Sequence, residues 1–263
     1  MTKTILITGS TDGLGLETSK RLAALGHRVL LHGRSPQKLA AAEATLGDGG
    51  CAGSYVADLS TLAGAKAFAE AVATDYEHLD VLINNAGVFS VRESRTADGL
   101  DVRFAVNAIA PYLLTKRLLP RLGPGGRVVN LSSAAQAPVD LAALAGDGAL
   151  SDSEAYAQSK LALTMWTRGL ARSLEGGGPV VVAVNPGSFL GTKMVRDAYG
   201  QEGQDIGIGV EILRRAALEE EFALATGRYF DNDVGRFADP HPDALDPARC
   251  DAVVRAIEAV AGI

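Results

Sequence analysis

The first 32 residues place the strongest constraint on the fold, because they read as a strand, a glycine loop, a helix and a second strand. Residues 4–8 are a short apolar run with β-branched side chains, which predicts a buried strand. A loop with Gly9, Gly13 and Gly15 follows, and a helical pattern separates it from the next apolar run at residues 28–32. A βαβ unit of this kind belongs to a parallel sheet that is covered by helices.

The glycine loop is a candidate binding site for a phosphate group. Glycines let the backbone approach a pyrophosphate closely, and the following helix offers unpaired N–H groups and the positive end of its dipole. The spacing is T-G-x-x-x-G-x-G and differs from the common G-x-G-x-x-G, so a tight turn without a ligand is the alternative. The candidate contacts are Gly9, Ser10, Thr11, Gly13, Leu14 and Gly15.

The end of the second predicted strand bears on the choice of cofactor. A carboxylate commonly follows this strand and binds the 2′-hydroxyl of an adenosine ribose. This chain has Gly33, Arg34 and Ser35 there. Gly33 leaves space and adds no charge that would repel a 2′-phosphate, and Arg34 can pair with that phosphate through two N–H donors. The sequence therefore predicts NADP(H) as the preferred cofactor and NAD(H) as the weaker one, although Asp12 argues mildly the other way. A solvated Arg34 at a strand end is the alternative.

Two more strand ends carry polar residues. Asp58 and Leu59 close a third strand, predicted over residues 54–57, and a fourth strand over residues 79–83 runs into an Asn-Asn-Ala-Gly stretch. Asn and Gly tolerate unusual dihedrals, so this stretch is either a turn or a floor under the adenine ribose whose amides pin neighbouring strands. The candidate cofactor contacts are Asp58, Leu59, Asn85, Ala86 and Gly87.

Tyr156 and Lys160 are the candidate catalytic pair. They lie one helical turn apart, on one face of a helix predicted to start near Ser153. A phenol has a pKa near ~10, and a fixed positive charge beside it favours the phenolate and lowers that pKa. Ser133, at the end of a fifth strand over residues 128–133, reads as a hydroxyl donor to a carbonyl. Taken alone, a Y-x-x-x-K pair is more often a solvated helix face.

Two further stretches complete the candidate site. A long helix is predicted over residues 97–122, and Asn107 lies among its apolar residues, so we expect it to be buried with hydrogen-bond partners. A sixth strand over residues 180–184 leads to Pro186 and Gly187. The sequence beyond is punctuated by glycines, which indicates a substrate lid around residues 188–226, least ordered over 188–209, with a disordered excursion as the alternative.

Composition excludes several other classes of protein. The net charge of −6 argues against a nucleic-acid surface, and no apolar stretch reaches the ~18 residues that a membrane span needs. Cys51 and Cys250 match no metal spacing, so we expect no metal site and a reducing, cytoplasmic location. The 263 residues suit one domain over residues 1–263.

Together, these motifs resemble the short-chain dehydrogenase/reductase family over nearly the whole chain. They match in order and in structural setting, which is far more specific than any one motif. The resemblance implies a doubly wound (Rossmann) α/β fold, with a parallel sheet of about seven strands in the order 3-2-1-4-5-6-7 and helices on both faces. The matching residues are Thr8, Gly9, Gly13, Leu14, Gly15, Asp58, Leu59, Asn84, Asn85, Ala86, Gly87, Asn107, Ser133, Tyr156, Lys160, Pro186, Gly187 and Thr192.

The resemblance also implies a reaction, in which hydride moves between a nicotinamide and a small carbonyl or alcohol. Tyr156 is expected to act as general acid in reduction and as base in oxidation, while Lys160 lowers its pKa and holds the nicotinamide ribose. The remaining implied roles are a hydrogen bond from Ser133 to the substrate oxygen, a water positioned by Asn107, a carboxamide contact at Thr192, and further cofactor contacts at Pro186 and Gly187.

One spacing indicates which branch of the family the chain resembles. Ser133 and Tyr156 are 23 positions apart, longer than most members show, and residues 134–153 form the added loop. With Asp12 and the stretch at residues 227–230, this resembles the retinol-dehydrogenase-like branch and its bacterial relatives. The family's usual dimer faces correspond to helices at residues 97–122 and 154–175, which implies a homodimer or homotetramer. The alternatives are a catalytically silent NADP-binding regulator and a non-redox reaction, such as epimerisation or dehydration, on the same scaffold.

Overall fold

Seven parallel strands and one antiparallel edge strand form a single sheet in a computed structural model, which describes residues 1–47, 49–174 and 177–263. The strands lie in the order 3-2-1-4-5-6-7-8, so the predicted order of seven strands is confirmed and the edge strand is an addition. The strands are β1 (Thr4–Ile7), β2 (Arg28–Gly33), β3 (Cys51–Val56), β4 (Val81–Asn84), β5 (Arg127–Leu131), β6 (Val180–Asn185), β7 (Tyr229–Asp231) and β8 (Arg236–Ala238).

Helices cover both faces of this sheet, as the resemblance implied. The helices are α1 (Gly13–Ala24), α2 (Pro36–Thr45), α3 (Leu62–Asp75), α4 (Val102–Phe104), α5 (Ala110–Leu122), α6 (Leu141–Leu144), α7 (Asp152–Ser173), α8 (Lys193–Tyr199), α9 (Ile206–Leu218) and α10 (Pro247–Ala261). Two of the helices, α4 and α6, are only one turn long, and one π-helical and two 3₁₀ turns are described between the other elements.

The alternation of side chains along β1 shows how the sheet divides the core. Leu6 packs into one cluster with residues of α3, α5, α7 and α10, whereas Ile5 and Ile7 pack into a second cluster with α1 and α9. Successive strand residues point to opposite faces, so a strand buried on both sides must be apolar throughout. Ile5, Leu6 and Ile7 are all fully buried, which explains why residues 5–7 are a continuous apolar run.

The helix predicted over residues 97–122 is shorter and interrupted. It begins at Val102, because Asp101 caps it by accepting from the Arg103 N–H at 2.9 Å. Its first turn passes into a π-helical turn, Ala105–Ile109, before the regular helix α5. A π-turn is rare and commonly marks a functional position, and Asn107 stands inside this one.

The helix predicted over residues 154–175 is α7, whose described part ends at Ser173, and residue 175 lies outside the described residues. Its outer face is covered by the chain itself. α10 packs along α7 and inserts the fully buried Cys250 and Ile257 together with the nearly buried Val253. Glu258 of α10 also accepts a hydrogen bond from the Tyr112 hydroxyl of α5 at 2.6 Å. The two helices that the resemblance assigned to a dimer face therefore already have a partner.

The lid segment is more regular than its sequence indicated. Thr192 caps α8, and Asp205 caps α9 by accepting from the Gly207 N–H at 2.8 Å. The apolar period of α8 is only seven residues long, which is too short to stand out from the surrounding glycines. No helix within the described ranges combines the length and hydropathy that crossing a bilayer requires.

Candidate active site

The helix that carries Tyr156 and Lys160 has a well-defined start. Ser151 and Glu154 form a capping box, in which the Ser151 hydroxyl accepts from the Glu154 N–H at 3.3 Å and the Glu154 carboxylate accepts from the Ser151 N–H at 3.0 Å. The first helical residue is Asp152, one position before the prediction. A fixed start fixes the rotation of the helix, and with it the direction of both candidate side chains.

Lys160 lies inside the protein beside Tyr156. Its side chain is 5% exposed, and its ammonium donates to the carbonyl oxygen of Leu131, at the end of β5, at 2.7 Å. The Nζ atom is 5.6 Å from the centroid of the Tyr156 ring. Burial lowers the pKa of Lys160 to about 8, which still leaves the group mostly protonated at neutral pH. The predicted pairing of a cation with the phenol is therefore present in the structure.

Ser133 stands two residues beyond β5, next to the same helix. The preceding Ser132 joins the two elements, since its buried hydroxyl lies 2.7 Å from the Thr164 hydroxyl of α7. Ser133 itself is half-buried, and its hydroxyl oxygen accepts from the Ala135 N–H at 3.1 Å. Its carbonyl accepts from the Tyr229 hydroxyl at 3.2 Å. These contacts hold Ser133 at the edge of the sheet while its hydroxyl hydrogen stays available to an external acceptor.

Asn107 is fully buried with hydrogen-bond partners, as its apolar neighbours predicted. Its amide bonds the backbone of Val88 in both directions, at 2.8 and 2.9 Å, and donates to the Ser159 hydroxyl at 2.9 Å. A Cβ atom on Gly87 would lie 3.5 Å from Asn107 Oδ1 and 3.6 Å from Lys160 Nζ, so the three residues meet at one point. The Asn107 side chain ties the loop after β4 to α7, and its role in positioning a water stays a prediction.

The glycine loop leaves no room for side chains on two of its glycines. A Cβ atom on Gly9 would come 2.9 Å from the backbone of Ala86, and one on Gly15 would come 2.3 Å from the Gly9 carbonyl oxygen. Gly9 also has a φ of +64°, which favours glycine. Asn85 supports the loop by donating to the carbonyl oxygens of Thr8 and Gly9 at 2.8 and 3.0 Å. The residues after β4 therefore support the glycine loop, and their role as a floor under the adenine ribose stays a prediction.

His32, at the end of β2, was not recognised in the sequence, yet it shapes this loop. Its Nδ1 accepts from the Gly9 N–H at 3.0 Å, and its Nε2 lies 3.2 Å from the Ala57 carbonyl oxygen. Its backbone N–H donates to the Ser10 hydroxyl at 2.8 Å, so the fully buried Ser10 side chain faces β2. Burial lowers the pKa of His32 to about 4, which keeps the ring neutral. Only its position at a strand end beside the loop could have indicated this role.

The expectation that Gly33 leaves open space is wrong. A Cβ atom there would lie 2.4 Å from Cγ2 of Thr11, because the glycine loop packs directly on the end of β2. Arg34 is exposed and forms no ion pair with any residue that the structure describes. Ser35 caps α2 by accepting from the Lys38 N–H at 3.3 Å.

Lys38 adds a cation that the sequence interpretation did not consider. Its ammonium lies 3.6 Å from a carboxylate oxygen of Asp12, the loop residue that argued against NADP. Both side chains are more than half exposed, so the pair contributes little to stability. It does place a positive charge against the one carboxylate that would repel a phosphate here.

The family model for short chain dehydrogenases matches residues 3–203, most of the chain. The chain belongs to the short-chain dehydrogenase family. The predicted resemblance to the retinol-dehydrogenase-like branch is confirmed as well. Bovine retinol dehydrogenase 12 is 38% identical over 205 residues, which cover 75% of this chain and 64% of that protein, slightly under two thirds of its length.

Two crystal structures of similar proteins extend the comparison. A protein from Mycobacterium paratuberculosis superposes with a TM-score of 0.82 at 29% identity, over 99% of this chain and 93% of its own. A short chain dehydrogenase from Burkholderia cenocepacia J2315, solved in complex with NADP, gives a TM-score of 0.70 at 28% identity, over 89% of this chain and 97% of its own.

The residues of this short-chain dehydrogenase fit a dinucleotide. Leu14 and Gly15 belong to the first turn of α1, where backbone N–H groups have no partner within the helix, and the glycine contacts keep side chains out of the way. At the adenine end, Asp58 is exposed while Leu59 is buried in the core, so Leu59 offers only its backbone.

The segment that the sequence predicts to be a lid packs on the glycine loop. A Cβ atom on Gly13 would lie 3.8 Å from Cγ2 of Thr192, and one on Gly209 would lie 3.0 Å from Leu14. At its base, Gly187 has a φ of +124°, and Pro186 accepts at its carbonyl oxygen from Asn232 at 3.0 Å. The structure therefore brings residues 187–209 and the glycine loop together at the C-terminal edge of the parallel strands, the edge at which Lys160 bonds the end of β5.

Proposed function

We propose that this short-chain dehydrogenase is an oxidoreductase that interconverts a small carbonyl compound and its primary or secondary alcohol, with NADP(H) as preferred cofactor. The observation that carries the proposal is the buried Lys160 ammonium, 5.6 Å from the Tyr156 ring and hydrogen-bonded to the end of the strand that leads to Ser133. When bound, the nicotinamide supplies or accepts the hydride.

The chain's own residues handle the proton and the oxygen. In the reductive direction, the Tyr156 hydroxyl gives its proton to the substrate oxygen while the hydroxyl of Ser133 donates a hydrogen bond to that oxygen. Lys160 stabilises the negative charge that Tyr156 then carries, because an ammonium near a phenolate lowers its free energy. In the oxidative direction the same groups act in reverse, with Tyr156 as the base.

The surroundings of Tyr156 favour a substrate with an apolar group. The Phe89 ring packs edge-on against the Tyr156 ring, with centroids 4.9 Å apart. A half-buried aromatic ring next to the reacting hydroxyl offers apolar contact area and no charge. The name of the bovine relative, a retinol dehydrogenase, is consistent with an apolar alcohol.

Two observations support NADP(H) over NAD(H). Arg34 is exposed beyond β2, and the Asp12 carboxylate is matched by Lys38. Both features favour an extra phosphate on the adenosine ribose. The Burkholderia cenocepacia relative was solved with NADP, which agrees with this preference.

The test is a panel of carbonyl and alcohol substrates measured with both cofactors, together with Tyr156→Phe. We expect turnover with apolar aldehydes or ketones, and a loss in Tyr156→Phe of about 10²- to 10⁴-fold in kcat with cofactor affinity retained, the usual range for one acid–base group. Tyr55→Phe is the control, since Tyr55 of β3 donates a hydrogen bond to Asp75 of α3 and lies outside the candidate site. Full turnover in Tyr156→Phe would refute the assigned role.

A further inference from the structure

A cleft of about 400 Å³ at the free edge of the sheet is lined by three arginines. Arg168 comes from α7, Arg228 immediately precedes β7, and Arg236 begins the edge strand β8. The remaining lining residues are Phe237, Ala238 and Asp239. We call these six residues the arginine cleft, and none of them belongs to the candidate active site.

The positive charge of the arginine cleft is not neutralised by the protein. None of its three guanidinium groups forms an ion pair with any described residue, whereas the guanidinium groups of Arg103, Arg214 and Arg215 all do. The single carboxylate in the lining belongs to Asp239, which forms no ion pair either within the described ranges. Three unpaired guanidinium groups in one cleft are unexpected in a chain whose net charge is −6.

Two of the three guanidinium groups, those of Arg228 and Arg168, are also held in place. Arg228 stacks on the Phe237 ring, with its guanidinium carbon 4.0 Å from the ring centroid. Arg168 is anchored by a hydrogen bond from one terminal nitrogen to the Gly227 carbonyl oxygen at 2.9 Å. The Nε–H of Arg168 is buried and has no hydrogen-bond partner. A buried donor without an acceptor is costly to leave unpaired.

Protection of an edge strand is the competing explanation. Charged side chains on an exposed edge hinder pairing with another sheet, and Arg236 stands on such an edge. That role requires side chains that point into solvent separately. It does not account for the convergence of Arg168, from α7, and Arg228, which precedes β7, with Arg236 of the edge strand.

We propose that the arginine cleft binds a small polyanion, a molecule that carries at least two negative charges on phosphate or carboxylate groups. Guanidinium groups pair with both oxyanions through parallel N–H donors, and a cleft of this volume accommodates one small molecule. The Phe237 ring beneath Arg228 holds this guanidinium group in place before the ligand binds, which lowers the entropy lost on binding.

The test is calorimetric titration of the full chain with inorganic pyrophosphate and with citrate, each in the presence of saturating NADPH. NADPH is included because the glycine loop is itself a candidate phosphate site. We expect one equivalent of anion to bind, with the stronger of the two probes showing which oxyanion the cleft prefers, and acetate not to compete. Arg228→Ala and Arg236→Ala should each weaken binding about ten- to a hundredfold, the usual effect of losing one charge-assisted contact.

Arg21→Ala is the matched control. Arg21 is exposed, forms no ion pair with any described residue and lies on α1, which packs on the opposite face of the sheet from α7. The proposal is overturned if neither anion binds, if Arg21→Ala weakens binding as much as Arg228→Ala, or if NADPH abolishes binding. The dependence on Arg228 is read without any turnover, so it is independent of the proposed reaction.

Discussion

We propose that the choice between NADP and NAD depends on single residues at the end of β2. Replacing Arg34 by Leu should lower the ratio of kcat/KM for NADP(H) to that for NAD(H) by about 10- to 150-fold, since a charge-assisted contact is worth roughly 1.5–3 kcal/mol. Arg21→Leu, an equally exposed arginine on α1, should leave the ratio unchanged. An unchanged ratio in Arg34→Leu would show that Arg34 is only a solvated strand end.

A full reversal of cofactor preference needs a carboxylate at position 33. The contact of this position with Thr11 means that a further substitution is required. An added Cβ would collide with Thr11 Cγ2, so Gly33→Asp alone would distort the glycine loop. Combining it with Thr11→Ser removes that methyl group. We expect the triple variant, with Arg34→Leu, to prefer NAD(H), because the Asp both repels the 2′-phosphate and can bond the ribose.

A second single residue, His32, should make the protein sensitive to acid. The pKa of His32 is lowered from 6.5 to about 4 by burial, so the unfolded chain takes up a proton below about pH 6.5 while the folded chain does so only near pH 4. Stability is therefore lost as the pH falls through this window, by about 2 kcal/mol between pH 7 and pH 5. His32→Leu removes this titration and should flatten the dependence, whatever its effect at pH 7.

Denaturant unfolding at pH 7 and pH 5 gives the free energy of unfolding at each pH. The change in this free energy between the two pH values is the decisive quantity. His78→Leu is the control, because His78 is largely exposed. If the free energy of unfolding changed equally in wild type and His32→Leu, the role given to the His32 titration would be contradicted. NADPH affinity of His32→Leu should also fall, since His32 holds the Gly9 N–H of the cofactor loop.

At the scale of elements, the lid has a fixed base and a freer tip. Gly191 and Gln204 join the two sides of the segment, with the Gly191 N–H donating to the Gln204 carbonyl oxygen at 2.7 Å. Asp233, in the turn between β7 and β8, accepts from the N–H and the hydroxyl of Ser188 at 2.8 and 2.6 Å. We therefore expect motion to be concentrated in α8, which lies inside the loop that Gly191 and Gln204 close.

Hydrogen exchange with and without NADPH and a substrate analogue tests the lid. Residues 193–200 should exchange fast in the free enzyme and slow down in the complex, while residues 186–190 stay protected in both. Asp233→Ala should extend fast exchange to residues 186–190 and raise KM, because it frees the base. Asp239→Ala, an exposed acid without an ion pair among the described residues, is the control. High protection of α8 in both states would refute a moving lid.

At the scale of the whole molecule, the covered face of α5 and α7 changes the expected assembly. The homodimer or homotetramer implied by the resemblance is untested, but the face it would use packs against α10 through Cys250, Val253 and Ile257. A second copy could reach this face only by displacing α10, whose apolar side is buried against it. We expect light scattering to give a monomer of 27.2 kDa, and a dimer that persists in Glu258→Arg would place the interface elsewhere.

The local chemistry of this protein could be predicted from its sequence because it depends on short-range spacing. Each of these features is encoded by a short stretch of sequence. They are the strand, glycine loop and helix at residues 4–24, the helix with Tyr156 and Lys160, and the strand ends at Ser133 and Asn85. Apolar periodicity and capping residues act over one or two helical turns, so they can be read without the fold. The family resemblance joined these pieces into one sheet order.

Contacts between residues far apart in sequence were decided only by the tertiary structure. Four such contacts join separate elements. They are the contact of position 33 with Thr11, the hydrogen bond between His32 and Gly9, the packing of α10 on α7, and the cleft that Arg168 lines with Arg228 and Arg236. No periodicity or spacing encodes such contacts, because they depend on how twisted strands and packed helices bring side chains together in three dimensions.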